Sequence, residues 1–406
     1  MLLATDFRRR SGARRPAFRN LAVAALAFVL ALTVVTGCGS GSDDAPETGT
    51  TSSRADVPEQ PELTGKSGEA FNPSRIFSET IDGVVSIRAI FGASSNPLES
   101  GAAGGSGFVL NDDGEIVTNA HVISNGEGED RKAAGRVFVE FTSGDIIPAK
   151  VLGFDPFSDV ALLRVDPAAV ELTPLKLGDS DEVVVGEPIA VIGSPFGEDQ
   201  TLTTGIVSQT GRSVMSLTDF QIEGAIQTDA SINPGNSGGP MLGSDSQVIG
   251  ISQQMKSGSG SSDGVGFGVP VNTIKRSTDQ LRENGQPSYA YIGVSTQPLY
   301  PQLAEKLGIE AERGAMVAQV MEDGPADKAG LRGGDDELEF QGAQYDVGGD
   351  VIVKAAGEAI NRAEDLGRII GQLAPGDTVE LEVVRGGQKR TVEVTLRERP
   401  TTLSTG

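Results

Sequence analysis

The sequence predicts a mainly β protein, a barrel or sandwich of short strands followed by a smaller domain of mixed strands and short helices. Three observations carry this. From residue 84 to Pro270 short apolar, β-branched runs alternate with turn residues, as in 107–110, 116–119, 137–141, 160–165, 188–192, 201–208 and 248–252. Turn signals such as Asn111-Asp112-Asp113-Gly114 and Thr142-Ser143-Gly144-Asp145 lie between them. Glycine is abundant at 54 residues and tryptophan is absent, which suits tight turns better than long packed helices. Many short strands at close spacing make an all-β barrel or sandwich.

The order along the chain begins with a leader. Arg8, Arg9, Arg10, Arg14, Arg15 and Arg19 face a single acid, Asp6, ahead of the apolar run 21–35 and Thr36-Gly37-Cys38. A basic region, a short apolar core and small residues before a cut form an export signal, too short for a spanning helix. The tetrad Val35-Thr36-Gly37-Cys38 resembles a bacterial lipobox, which implies a 1–37 signal peptide and a diacylated Cys38 on the outer face of the cell membrane. Residues 38–71, rich in Gly, Ser, Thr, Pro and acids, cannot bury enough surface to offset ordering and read as a flexible linker. Folding is expected from Asn72 with a short helix, then the strand-rich domain to 285, closed by a helix over 271–284. After Gly285-Gln286-Pro287-Ser288 comes the second domain, 289–400.

Composition excludes several functions. A net charge of −23 opposes nucleic-acid binding, which needs a basic surface. With one Cys and one His, no internal disulfide and no Cys/His zinc site can form, and no metal or cofactor is expected. Any chemistry needing imidazole must use His121.

The sharpest segment is Gly235-Asn236-Ser237-Gly238-Gly239-Pro240. A nucleophilic serine needs a tight turn, with glycines that let substrate approach and backbone N–H groups aimed at the oxyanion. The segment also fits the loose G-x-S-x-G pattern of α/β-hydrolases, but those place His after Ser, whereas His121 precedes Ser237. A subtilisin arrangement needs Asp before His on an α/β scaffold. The order His, Asp, Ser belongs to the chymotrypsin type. His121 stands in Thr118-Asn119-Ala120-His121-Val122 at a strand end. Asp159, before the aliphatic run 160–163, is the acid placed to orient it. Asp155 is the nearest competitor and Asp166 a weaker one; both read as turn or solvated acids, so Asp155→Asn is expected to leave the rate unchanged.

These three segments together resemble the HtrA/Deg family of trypsin-like serine proteases, over about 75–400. Gly105-Ser106-Gly107-Phe108 and Gly193-Ser194-Pro195-Phe196-Gly197 look like further family signatures. The resemblance implies a chymotrypsin-like double β-barrel with a His121–Asp159–Ser237 triad in the cleft, followed by a smaller α+β PDZ domain. It implies an oxyanion hole from the backbone N–H groups of Gly235, Asn236 and Ser237. It places Ser231 at the base of the primary pocket, and Ile251, Ser252 and Gln253 on the edge strand that pairs with substrate. Tyr291-Ile292-Gly293-Val294 and Gly324-Pro325-Ala326-Asp327 resemble a PDZ carboxylate-binding loop and first helix. The stretch 336–348 interrupts the usual family spacing and is expected close to the peptide groove. Implied partners are unfolded or misfolded exported proteins, C-terminal peptides and a homotrimer. The runner-up function is a binding or chaperone-like module whose triad is rarely engaged.

Overall fold

The computed structural model describes residues 70–92, 101–194, 200–253 and 264–402. The leader, Cys38, nearly all of the 38–71 linker, and Pro195, Phe196 and Gly197 of the second glycine motif lie outside the described residues. Among the described residues no helix is long and apolar enough to cross a membrane.

Helix α1 (Pro73–Thr80) opens the described chain. Proline suits its first position, and the Asn72 side chain caps it by accepting the Arg75 amide at 3.0 Å. Six antiparallel strands then close a barrel: β1 (Val84–Ile90), β2 (Ala102–Val109), β3 (Glu115–Thr118), β4 (Arg136–Glu140), β5 (Ile146–Asp155) and β6 (Val160–Arg164), in the order β1-β2-β3-β6-β5-β4. The period-two alternation of β1 sends Val85, Ile87 and Ala89 into the barrel, against Val109, Ile116, Val139 and Leu163. The other face of that strand, at Val84, serves a different cluster.

A second barrel follows: β7 (Pro188–Gly193), β8 (Thr201–Met215), β9 (Gln221–Thr228), β10 (Pro240–Leu242), β11 (Val248–Gln253) and β12 (Gly266–Pro270), in the order β8-β9-β12-β11-β10-β7. Register shifts against β9 let the long β8 bend around the barrel. One shared core seats the barrels against each other: Val84, Phe108, Val117 and Leu162 from the first meet Ile192, Leu242, Ile251 and Val269 from the second. Helix α3 (Val271–Asn284) adds Ile274 and Leu281 to that core. Each such fully buried side chain is worth roughly 1.5–3 kcal/mol. The same helix is tied to the first barrel by charge: the buried Glu115 accepts from Arg282 at 2.8 Å, Arg164 at 2.6 Å and Asn111 at 2.8 Å.

Past α3 the chain forms β13 (Ala290–Tyr291), then a sheet built from β14 (Val294–Leu299), β15 (Gly314–Val320), β18 (Val351–Ala355), β19 (Thr378–Arg385) and β20 (Gln388–Thr395). Strand β14 forms its edge. After the short helices α4 (Pro301–Leu307) and α5 (Pro325–Lys328), helix α6 (Ala363–Ile370) lays Leu366, Ile369 and Ile370 on the sheet face that carries Ala315 and Val317. The interrupting stretch folds as a hairpin, β16 (Asp336–Phe340) with β17 (Ala343–Val347). Its Leu338, Phe340 and Tyr345 pack beside Tyr300, Leu299 and Met316, on the opposite sheet face from α6. The hairpin therefore leaves the space between β14 and α6 uncovered.

Candidate active site

Strand β3 delivers the histidine. It ends in the single turn α2 (Ala120–Ile123), which brings His121 to the mouth of the first barrel. Asp159 sits just before β6, the strand hydrogen-bonded to β3, so the two residues are neighbours by sheet register. The Asp159 carbonyl accepts the Ala120 amide at 3.1 Å and Asn119 Nδ2 at 2.8 Å. Its carboxylate, fully buried, takes the His121 backbone amide at 2.9 Å on Oδ1 and His121 Nδ1 at 2.7 Å on Oδ2. With Nδ1–H bound in this way, Nε2 is the nitrogen left to accept a proton. Burial disfavours the charged imidazole, but the Asp159 charge and hydrogen bond outweigh it, so the His121 pKa is raised above its ordinary value; Arg131 pulls weakly the other way.

The serine comes from the second barrel. Residues 233–239 form tight turns in which Asn236 N–H donates to Asn233 O at 3.0 Å and Gly239 N–H to Asn236 O at 2.8 Å. The loop is stapled to the first barrel by Ser106: its amide donates to Ser237 O at 2.8 Å and its hydroxyl to Gly235 O at 2.7 Å, while Thr118 Oγ1 donates to Ser106 O at 2.7 Å. Gly235 and Gly238 hold φ of +102° and +86°, and a Cβ on Gly238 would run into Ser106 O and Thr118 Oγ1. Ser237 is thus held beside the strand that delivers His121. Its Oγ is buried and has no hydrogen-bond partner among the described residues.

Three expectations change. Among the three candidate oxyanion donors, the Asn236 amide is committed to Asn233 O, whereas those of Gly235 and Ser237 have no acceptor among the described residues. Ile251 and Ser252 are not on an open edge. Strand β11 is paired with β12 on one side; on the other, Ile251 pairs with Pro240, while Ser252 N–H donates to Gly239 O at 2.9 Å and Gly238 N–H to Ser252 O at 2.9 Å. The serine loop itself closes that edge. Gln253 turns inward, and its Nε2 donates to Asp159 Oδ2 at 3.1 Å. Nothing in its local sequence signals this. Finally, Asp155 is wholly buried rather than solvated. Asp166 is exposed, and Ser231 is exposed with its carbonyl accepting from Thr203 Oγ1 at 3.2 Å.

In the second domain, Tyr291, Ile292, Gly293 and Val294 join β13 to β14. Gly293 has φ of +81°, and the carbonyls of Ile292 and Gly293 accept from Ala326 and Met321 amides, both at 2.9 Å. The amides of Ile292 and Gly293 have no acceptor among the described residues, next to the open edge of β14. The Tyr291 ring meets Phe220 of the second barrel edge-on at 5.8 Å.

Residues 105–251 match the trypsin-like peptidase domain family, and residues 290–396 match the PDZ domain family. A probable periplasmic serine endoprotease, DegP-like, of Pseudomonas fulva is 41% identical over 296 residues, 73% of this chain and 56% of that protein. Protease Do-like 1, chloroplastic, of Arabidopsis thaliana is 40% identical over 304 residues, 75% of this chain and 65% of that protein. The chain thus spans little more than half the length of the Pseudomonas relative. Among solved structures, the HtrA-type protease AlgW with tripeptide superposes with a TM-score of 0.67 at 31% identity, covering 81% of this chain and 98% of that one. Double barrel, second-domain sheet and these likenesses agree, and the chain belongs to the HtrA/Deg family of trypsin-like serine proteases with a PDZ domain.

Proposed function

We propose that the protein is a serine endopeptidase of exported, misfolded proteins. The observation that carries it is the two-point hydrogen bonding of His121 to a buried Asp159, beside a serine held on a glycine loop. In this reading Ser237 Oγ attacks the scissile carbonyl while His121 Nε2 takes its proton. Asp159 holds the required tautomer and stabilises the imidazolium. The amides of Gly235 and Ser237 receive the oxyanion, then His121 protonates the leaving amine and activates water for deacylation. Ser237 Oγ has no hydrogen-bond partner among the described residues, so in this reading its bond to His121 forms when substrate binds.

The PDZ loop at Tyr291, Ile292, Gly293 and Val294 takes a C-terminal carboxylate on its unpaired amides, and the peptide adds as a strand to β14. Relatives named as periplasmic support action outside the cytoplasm, and the lipobox supports anchoring through Cys38. A homotrimer is the assembly proposed from family membership.

Hydrolysis of unfolded casein tests the reading. Ser237→Ala should lose activity by about 10⁶-fold, together with fluorophosphonate labelling. Casein cleavage retained by that variant would end the assignment. A folded wild type that binds C-terminal peptide but is never labelled would instead support the binding-module reading.

A further inference from the structure

Asp155 lies four residues before the candidate catalytic acid, at the end of β5, and none of it is exposed. Its carboxylate is satisfied from several directions. Oδ1 accepts the backbone amides of Phe157 at 2.9 Å and Ser158 at 3.2 Å. Oδ2 accepts the hydroxyls of Ser158 at 2.5 Å, of Tyr289 at 2.5 Å and of Ser277. The donors come from the turn itself, from α3 and from the chain entering the second domain. Among the described residues no cation lies within ion-pair distance of it. The nearest guanidinium groups stack instead on the surrounding rings: Arg399 over Phe157 at 5.7 Å and Tyr289 at 5.3 Å, and Arg276 over Tyr289 at 5.3 Å.

So many donors converging on one buried acid make a rigid turn, and Asp159 needs one. Its φ is +56°, in the left-handed region that a non-glycine residue enters at a cost of roughly 1–3 kcal/mol unless its surroundings impose it. In that conformation the Asp159 carboxylate faces back to His121 while its carbonyl meets Asn119 and Ala120. A turn free to relax would swing the carboxylate away.

We infer that Asp155 is a positioning residue: by gathering the Phe157 and Ser158 amides and the Ser158, Ser277 and Tyr289 hydroxyls, it holds Asp159 in the left-handed conformation that aims its carboxylate at His121. The kinetic consequence rests on the peptidase reading; the geometric one does not. Asparagine at 155 has one acceptor oxygen. If that oxygen keeps the two backbone amides, its NH₂ confronts three hydroxyls that had all been donating.

His121 is the one histidine of the chain, so its imidazole resonance can be titrated without ambiguity. Among the described residues the charged groups facing it are Asp159 and Arg131. Proton NMR titration of the full chain in a Ser237→Ala background avoids self-cleavage. There, Asp155→Asn should lower the His121 pKa, in the same direction as Asp159→Asn, whereas Asp166→Asn leaves it unchanged. In the active background Asp155→Asn should cut kcat by up to about 10²-fold with KM little altered, as expected for a misplaced catalytic group. If Asp155→Asn does not fold, Tyr289→Phe combined with Ser277→Ala removes two donors while keeping the acid, and should shift the imidazole less far in the same direction. An unchanged His121 titration in a folded variant, with only the melting temperature reduced, overturns the inference and leaves Asp155 a residue of stability alone. A wild type without hydrolysis overturns the peptidase reading, and the titration still decides the role of Asp155.

Discussion

On the first barrel, His121 and Asp159 are joined by hydrogen bonds of 2.9 and 2.7 Å, and Gln253 reaches across from the second barrel to add one of 3.1 Å. On the second barrel, Ser237 is held only through backbone: Ser106 and the loop's own turns fix its carbonyl and its neighbours, while its Oγ has no partner among the described residues. In the proposed mechanism, the acid–base half is thus organised before substrate arrives, and the nucleophile half is shaped but not yet engaged. Preorganisation of the imidazole removes reorganisation from the chemical step. On that proposal the last alignment of the serine is left to substrate binding.

The comparison breaks most deeply at Asp159. Asp159→Asn keeps the shape but reverses one hydrogen bond, so His121 can be held in the wrong tautomer, and kcat should fall by about 10⁴-fold. Casein hydrolysis by the folded variant measures this. A loss of less than tenfold would show that the tightly bonded half is structural and that the serine finds its base elsewhere.

The parts of this half that short motifs announce are His121, with its Thr118-Asn119-Ala120 approach, and Asp159 at the head of an aliphatic strand. The strand-rich character is equally legible, because short β-branched runs between turn residues mark strands locally, but the choice of a double barrel over a sandwich comes from the family resemblance and not from the pattern. What escapes is set by residues distant in sequence. Asp155 reads as a solvated turn acid until Ser277 and Tyr289 close over it. The expectation that Ile251 and Ser252 pair with substrate fails because the glycines after Ser237 fold back onto that edge. The 336–347 hairpin likewise looks positioned to cover the peptide groove. Which face of the sheet it covers depends on where Tyr300 and Met316 offer apolar surface.

Acidification separates activity from folding and sharpens the contrast between paired groups. The His121 pKa is raised, so its protonated form stabilises the fold below the unfolded value of about 6.5, and this contribution is lost as pH rises through the folded pKa. Catalysis needs the neutral form and so declines first. Glu115 behaves oppositely: burial works against its charge, but hydrogen bonds from Arg282, Asn111 and Arg164 hold its pKa below the usual carboxylate value. Its contribution is present above the unfolded value of about 4.3 and is lost only as pH falls through the lower folded pKa. Between about pH 5 and 6 the protein should therefore be inactive yet folded. Circular dichroism should stay unchanged while kcat/KM drops about tenfold per pH unit, reversibly. Loss of near-ultraviolet signal together with activity would show that acid unfolds the site instead.

The smallest expected effect tests whether the link from the second barrel to Asp159 matters to chemistry. Gln253 Nε2 donates to Asp159 Oδ2, the oxygen that also receives His121 Nδ1, while Gln253 Oε1 is buried without a partner among the described residues. Removing the side chain deletes one hydrogen bond to a charged group, worth roughly 1.5–3 kcal/mol, but also removes an unsatisfied buried oxygen worth about 1–3 kcal/mol of desolvation. These nearly cancel in stability, so Gln253→Ala should melt close to wild type. They do not cancel in catalysis, because only the donor touches the acid that orients His121. A fall of about tenfold in kcat with KM unchanged is the expected signature of an interaction spent on orientation rather than on binding. If KM rises instead while kcat holds, Gln253 contacts substrate after all, and the acid–base half is complete with His121 and Asp159 alone.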